Sequence, residues 1–188
     1  MAENIKGKSH ILDISKSWER ERPDLELTNF LFAIYAMRLG RMVDDAYDDM
    51  CRKRFGISGS DMRVLFALRR AGKPYVRRAT DLFRALLVTS GAVTKQVDRL
   101  SKLGLVSRIE DPNLPMGVQL TAKGLRVANQ ATDLLATASP VAPGVIGMSK
   151  SEFAAGRAFV EKVLQGLEMA NPTPRRGSTR RIKNDDPA

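Results

Sequence analysis

Residues 89–109 read TSGAVTKQVDRLSKLGLVSRI, a short helical pattern that runs with hardly a loop into a strand. Val93, Val97 and Leu100 fall at i, i+4 and i+7, so they share one face of a helix. A helical wheel puts Gly91, Lys95, Asp98 and Lys102 opposite them, with Thr94 and Arg99 on the flanks. Thr89 and Ser90 are candidate N-caps, and Gly104 stops the helix. Such a helix needs neighbours to bury its apolar face, and it leaves a basic face open to a ligand.

The flanking sequence supplies those neighbours. Upstream, ISGSDMRVLFALRRAGKP (57–74) predicts a helix capped by Ser58 or Ser60, stopped by Gly72, with Pro74 barring continuation. RRATDLFRALLV (77–88) predicts a short helix presenting Leu82, Phe83 and Leu86. Downstream, LVSRI (105–109) and GVQLT (117–121) are short strand signals, and EDPNLPM (110–116) between them has turn chemistry. Helix, short helix, turn, basic-faced helix and two-stranded hairpin is the order of a winged helix-turn-helix. In that architecture the basic-faced helix lies in the major groove of DNA and the hairpin reaches the flanking minor groove. Thr89, Ser90 and Thr94 would then give neutral hydrogen bonds, and Lys95, Arg99 and Lys102 would bind phosphate or guanine. Gly91 would let phosphate approach the helix N-terminus, where free amides and the dipole favour an anion. Asp98 faces outward among these cations and should repel phosphate, so it is expected to pair with an arginine such as Arg108. The alternative is a solvated amphipathic helix that happens to precede a hairpin.

Helices are expected on both sides of this unit. SHILDISKSWERE (9–21) spaces Ile11, Ile14 and Trp18 helically, and Pro23 ends or bends it. Residues 25–55 form a long helical pattern whose apolar positions, Phe30 to Met50, cover more than one stripe. A small monomer can seldom bury so much of one helix, which points to a partner subunit. TAKGLRVANQATDLLATA (121–138) resumes helix, SPVAPGVIGM (139–148) is a break, and residues 149–169 form a last helix. NPTPRRGSTRRIKNDDPA (171–188) has the composition of a disordered basic tail. The expected organisation is N-terminal helices (1–55) for dimerisation and ligand, a winged helix-turn-helix DNA-binding domain (56–122), C-terminal dimerisation helices (123–170) and the tail. The fold class is therefore mainly α with a small β-hairpin wing.

Charge and composition agree with a nucleic-acid partner. The 188 residues hold 31 Lys plus Arg against 21 Asp plus Glu, a net charge of +10. The tail contributes five cations and two acids, so most of the excess belongs to the body. Such a charge attracts polyanions. A single cysteine, Cys51, excludes an internal disulfide and suits a reducing cytoplasm. No run approaches the roughly 20 apolar residues of a membrane span, and the N-terminus has no signal-peptide pattern. No nucleophile elbow, phosphate loop, dinucleotide glycine pattern or metal-ligand spacing is present, so neither an enzyme nor a cofactor is expected. His10 stands alone, and Asp44, Asp45, Asp48 and Asp49 suit a solvated helix face or cross-dimer ion pairs better than a metal. Cys51 leaves two readings, an oxidant sensor favoured by Arg52, Lys53 and Arg54, or a buried thiol.

The run VTKQVDRLSKLGLVSR (93–108), followed by Asp111-Pro112 and Leu120-Thr121, resembles the multiple-antibiotic-resistance regulator (MarR) family of bacterial transcription factors. The likeness is strongest over 86–112 and 120–124, and the helix order extends it over about residues 25–168. The resemblance implies a homodimer built from the N- and C-terminal helices, bound to a pseudo-palindromic operator on double-stranded DNA. It also implies a small-molecule effector, often an aromatic or phenolic anion, that loosens binding. Repression is the expected sign, because a dimer covering a promoter blocks polymerase without a further contact. A urate-responsive subgroup carries a tryptophan and an arginine where Trp18 and Arg108 stand, which makes these two the candidate ligand residues. Arg63 and Gln96 replace that subgroup's acidic residue and recognition-helix arginine, which weakens the case for urate itself and leaves an anionic aromatic as the implied ligand. Trp18 as a packing anchor is the alternative. Family members usually carry an arginine at the wing tip, whereas here the tip is Asn113 to Gly117, shorter and without one. A nonspecific or architectural nucleic-acid binder is the runner-up, and it would show no preferred sequence.

Overall fold

Gly56 closes the long N-terminal helix in a left-handed conformation (φ 69°), and Ser58 opens the next. The Ser58 hydroxyl accepts a hydrogen bond from the Asp61 amide at 3.1 Å, satisfying one of the donors left free at a helix start. Gly59 makes this corner tight. Its amide donates to the Asp48 carboxylate at 2.7 Å, and a Cβ there would lie 2.8 Å from the Tyr47 ring. The two helices can therefore touch only through a glycine.

The computed structural model describes residues 10–86, 90–112, 114–138 and 141–170. The elements are α1 (His10–Glu21), α2 (Thr28–Phe55), α3 (Gly59–Arg69), β1 (Val76–Arg78), α4 (Ala79–Leu86) and α5 (Ser90–Lys102). They continue as β2 (Val106–Ile109), β3 (Gly117–Leu120), α6 (Ala122–Ala138), a 3-10 turn (Pro143–Val145) and α7 (Lys150–Ala170). This is a mainly helical protein with a small antiparallel sheet, a winged helix-turn-helix between long N- and C-terminal helices. None of the described helices is long and apolar enough to cross a membrane.

The core centres on α3. Met62, Val64, Leu65 and Leu68 are fully buried, and Leu82 of α4, Val93, Val97 and Leu100 of α5, Val118 of β3 and Ala128 and Ala131 of α6 close around them. Each buried leucine or valine contributes about 1.5–3 kcal/mol relative to exposure, so this cluster holds α5 against the body.

The sheet differs from the two-stranded hairpin expected. It has three strands in the order β1-β3-β2, all antiparallel. Residues 77 and 78, expected to begin the short helix, belong to β1, where Arg77 pairs with Val118 and Arg78 with Gly117. Three residues are too short for an alternation signal, and β1 exists because β3 offers it a free edge. Helix α4 starts only at Ala79, whose amide donates to the Met116 carbonyl at 3.1 Å.

The long helices leave apolar faces uncovered within one chain. Helix α2 buries only Met50 and Cys51, at its C-terminal end, and α7 buries nothing. Phe30, Phe32, Met37, Leu39 and Met42 of α2 and Phe153, Phe159, Val160, Leu164 and Leu167 of α7 are exposed. An edge-to-face contact between Phe32 and Phe159, with centroids 5.7 Å apart, joins the two helices. The four aspartates of α2 are answered by bases of the same chain: Asp44 by Arg63, Asp45 by Arg41, Asp48 by Arg52 and Asp49 by Lys53. Cross-dimer ion pairs are therefore not needed to explain them.

Candidate nucleic-acid interface

Helix α5 divides as its periodicity predicts. Val93, Val97 and Leu100 face the core, while Gly91, Thr94, Lys95, Asp98, Arg99 and Lys102 are exposed. Ser90 is its first residue, and Thr89 lies outside the described residues. Gly104 turns the chain with φ 68°, and the Leu105 amide donates back to the Leu100 carbonyl at 2.9 Å. Strand β2 thus begins one residue later, which fixes the hairpin rigidly to the helix.

Two ion pairs sort the cations of this surface. Arg99 reaches Asp61 of α3 with two nitrogens of one guanidinium edge, Nη2 donating to Oδ1 at 2.7 Å and Nε to Oδ2 at 3.2 Å. The Asp61 side chain is only 6% exposed and that of Arg99 is 52% exposed, so the pair bridges interior and surface. A two-pronged bond between guanidinium and carboxylate is strong and fixes orientation. Arg108 of β2 donates to Asp98 at 2.7 Å, the pairing expected from the sequence. That bond removes Asp98 as an uncompensated negative charge and ties the wing to α5. Among the described residues, Lys95 and Lys102 make no ion pair, and both stand on the outer face.

The burial of Gln96 was not anticipated. The residue lies on the inner face beside Val93, Val97 and Leu100, 5% exposed, and its Oε1 accepts no hydrogen bond among the described residues. Its spacing, three after Val93 and four before Leu100, places it inside the apolar stripe, and that was the available signal. Asp61 was missed as well. Ser58 as a cap put it in the first turn of α3, but nothing local marked it as buried.

The two candidate ligand residues have separate partners. Trp18 of α1 packs edge-on against Phe30 of α2, with centroids 4.9 Å apart, and stays 40% exposed. Arg108 is engaged with Asp98. No described contact brings Trp18 and Arg108 together.

At the α2–α3 corner, Cys51 is fully buried and its thiol is pushed up to about 11, chiefly by burial. Arg52 and Lys53 do not activate it, being bound to Asp48 at 2.6 Å and Asp49 at 2.8 Å. Of the two readings of Cys51 the structure favours the buried thiol: sequence neighbours on a helix point away from one another, and burial outweighs their charge. Burial likewise holds the Tyr47 hydroxyl well above its usual range. Asp48 is displaced the other way, held low by its hydrogen bond from Arg52 and then by the Gly59 amide.

Residues 55–113 match the MarR family model. Over 125 residues the chain is 30% identical to the HTH-type transcriptional regulator PecS of Dickeya dadantii, a match spanning 65% of this chain and 75% of that protein. Its fold is similar to that of Sco5413, a MarR family transcriptional regulator from Streptomyces coelicolor, with a TM-score of 0.61 and 25% identity over 76% of this chain and 95% of that one. It is also similar to Sco3205 of the same organism, a MarR family regulator solved in complex with DNA, with a TM-score of 0.64 and 20% identity over 77% and 90% of the two chains. From the core-facing stripe of α5 to the wing fixed at its end, the chain belongs to the MarR family of transcriptional regulators.

Proposed function

We propose that this regulator acts as a homodimeric repressor on a pseudo-palindromic operator, with α5 in the major groove of double-stranded DNA. The observation that carries the proposal is the outer face of α5, where Lys95 and Lys102 are exposed and unpaired among the described residues while the inner face is locked in the core. Cations so placed can meet phosphate or guanine without breaking a bond of the protein. Ser90, Gly91 and Thr94 in the first turns of the helix, with Thr89 just before them in the sequence, complete the proposed contact set. Arg99 is assigned to positioning, since its guanidinium is engaged with Asp61.

The uncovered apolar faces of α2 and α7 support a second copy of the chain as partner, and residues 1–55 and 123–170 as the dimerisation segments. The effector proposed is a small aromatic anion near Trp18, acting in the cytoplasm. Titration with aromatic acids while following Trp18 emission tests that part, and a flat response to all of them removes it.

Selection of bound sequences from a random DNA library tests the whole. A two-fold symmetric motif, with half-sites about one helical turn apart, is expected. Lys95→Ala should weaken binding to that motif by roughly tenfold, about 1–2 kcal/mol. A pool without any motif would replace the regulator with an architectural protein.

A further inference from the structure

The loop joining β2 to β3, residues 110–116, carries Glu110 and Asp111 and no lysine or arginine. A loop of that charge repels phosphate, yet it closes the hairpin of β2 and β3. The cations beside it come from a different strand. Arg78 pairs with Gly117, the first residue after the loop, and Arg77 pairs with Val118. Both arginines are exposed. The bond from the Ala79 amide to the Met116 carbonyl ties the end of β1 directly to the loop. Successive residues of a strand leave it in different directions, so the two long side chains can reach different phosphates along the same backbone. Arg77 also borders a concavity shared with Arg70 of the α3 C-terminus, where Asp81 is the single acidic lining residue. Among the described residues Arg77 makes no ion pair with it.

We propose that Arg77 and Arg78 of β1 form a second phosphate-binding element, which supplies from the neighbouring strand the cations that the wing loop lacks. Its partner is the DNA backbone flanking the groove occupied by α5. Charge complementarity and continuity favour that occupant: β1 pairs with β3, β3 with β2, and β2 is bonded to α5 through Arg108 and Asp98. Charged residues on an edge strand also discourage pairing with other sheets, and that simpler role would leave DNA binding untouched.

The inference rests on the DNA-binding reading above, and a salt titration separates the two. Full-length protein, Arg77→Ala/Arg78→Ala, Arg77→Lys/Arg78→Lys and a variant with glycine at Leu114, Pro115 and Met116 are titrated onto the selected duplex at several salt concentrations. Each lost phosphate contact lowers the slope of log K against log salt by about 0.9, so the alanine pair should lose about 2 and bind at least about tenfold more weakly. The lysine pair, which keeps the charge whatever the fate of the alanine variant, should retain most of the slope. The glycine loop should retain it too. An alanine pair that keeps the full slope, or a lysine pair that loses as much as alanine, overturns the arginine assignment alone. An unmodified protein that binds no duplex overturns both.

Discussion

Arg99 on the outer flank of α5 and Asp61 in the first turn of α3 are locked by two parallel hydrogen bonds, of 2.7 and 3.2 Å, with the carboxylate buried and the guanidinium half in solvent. The inner-face valines and leucine fix how deep α5 sits; this pair fixes its rotation. Ser58 and the Asp48–Gly59 bond in turn fix α3 against α2. A continuous set of directed bonds therefore runs from the long helix α2 to α5.

Removing either member should loosen α5 while leaving Lys95 and Lys102 in place. Breaking a buried ion pair costs about 3–5 kcal/mol and an exposed one below about 1, so a pair with one member half in solvent should cost about 1–3. Arg99→Ala and Asp61→Ala should both lower Tm and weaken operator binding, and the double variant should be no worse than either single. A double-mutant cycle on operator affinity checks this. Additive losses would mean that Arg99 touches DNA on its own account.

Cys51 should be inert while the protein is folded. A thiol raised to about 11 is almost wholly protonated at neutral pH, and only the thiolate reacts quickly. Peroxide should leave operator affinity unchanged, and a thiol reagent should modify Cys51 only at the rate of opening. Rapid modification of the folded protein, with loss of DNA binding, would restore the sensor reading.

The helical stripe of α5 was legible because period and charge agree there, and so were the caps Ser58 and Gly104, whose chemistry is local. Strand β1 was not legible. Val76, Arg77 and Arg78 have no pattern of their own and become a strand only against β3. The Arg99–Asp61 pair spans 38 residues, and no local rule joins them. Asp98 with Arg108 was within reach because an outward carboxylate among cations demands a base and the neighbouring strand offers one. Lys95 and Arg99 look alike in sequence, and only the position of Asp61 separates an exposed cation without an ion pair among the described residues from one already engaged.

Acid should act on the α2–α3 corner. Asp48 is held below the usual carboxylate value of about 3.9, first by Arg52 and then by the Gly59 amide. A carboxylate whose folded pKa is depressed stabilises the protein above its unfolded pKa and loses that contribution as pH falls through the folded one. Asp48→Asn should therefore melt below the parent protein at pH 7, and the two Tm curves should converge as pH drops below about 4. Parallel curves across that range would show that charge at Asp48 contributes nothing.

The apolar faces of α2 and α7 make the last prediction. Met37, Leu39 and Met42 on one helix and Val160, Leu164 and Leu167 on the other are all exposed in a single chain. At roughly 25 cal/mol per Å² of apolar surface, faces of this kind favour burial against a partner. The 20.8 kDa chain should sediment as a particle of twice that mass. Leu164→Glu, which alters no residue of the α3–α5 core, should shift it toward the monomer. The same substitution should weaken binding to a palindromic duplex far more than to an isolated half-site, because a dimer gains from linked half-sites and a monomer does not. A monomeric parent protein, or a Leu164→Glu variant with unchanged mass and unchanged palindrome affinity, would show that this face has another occupant.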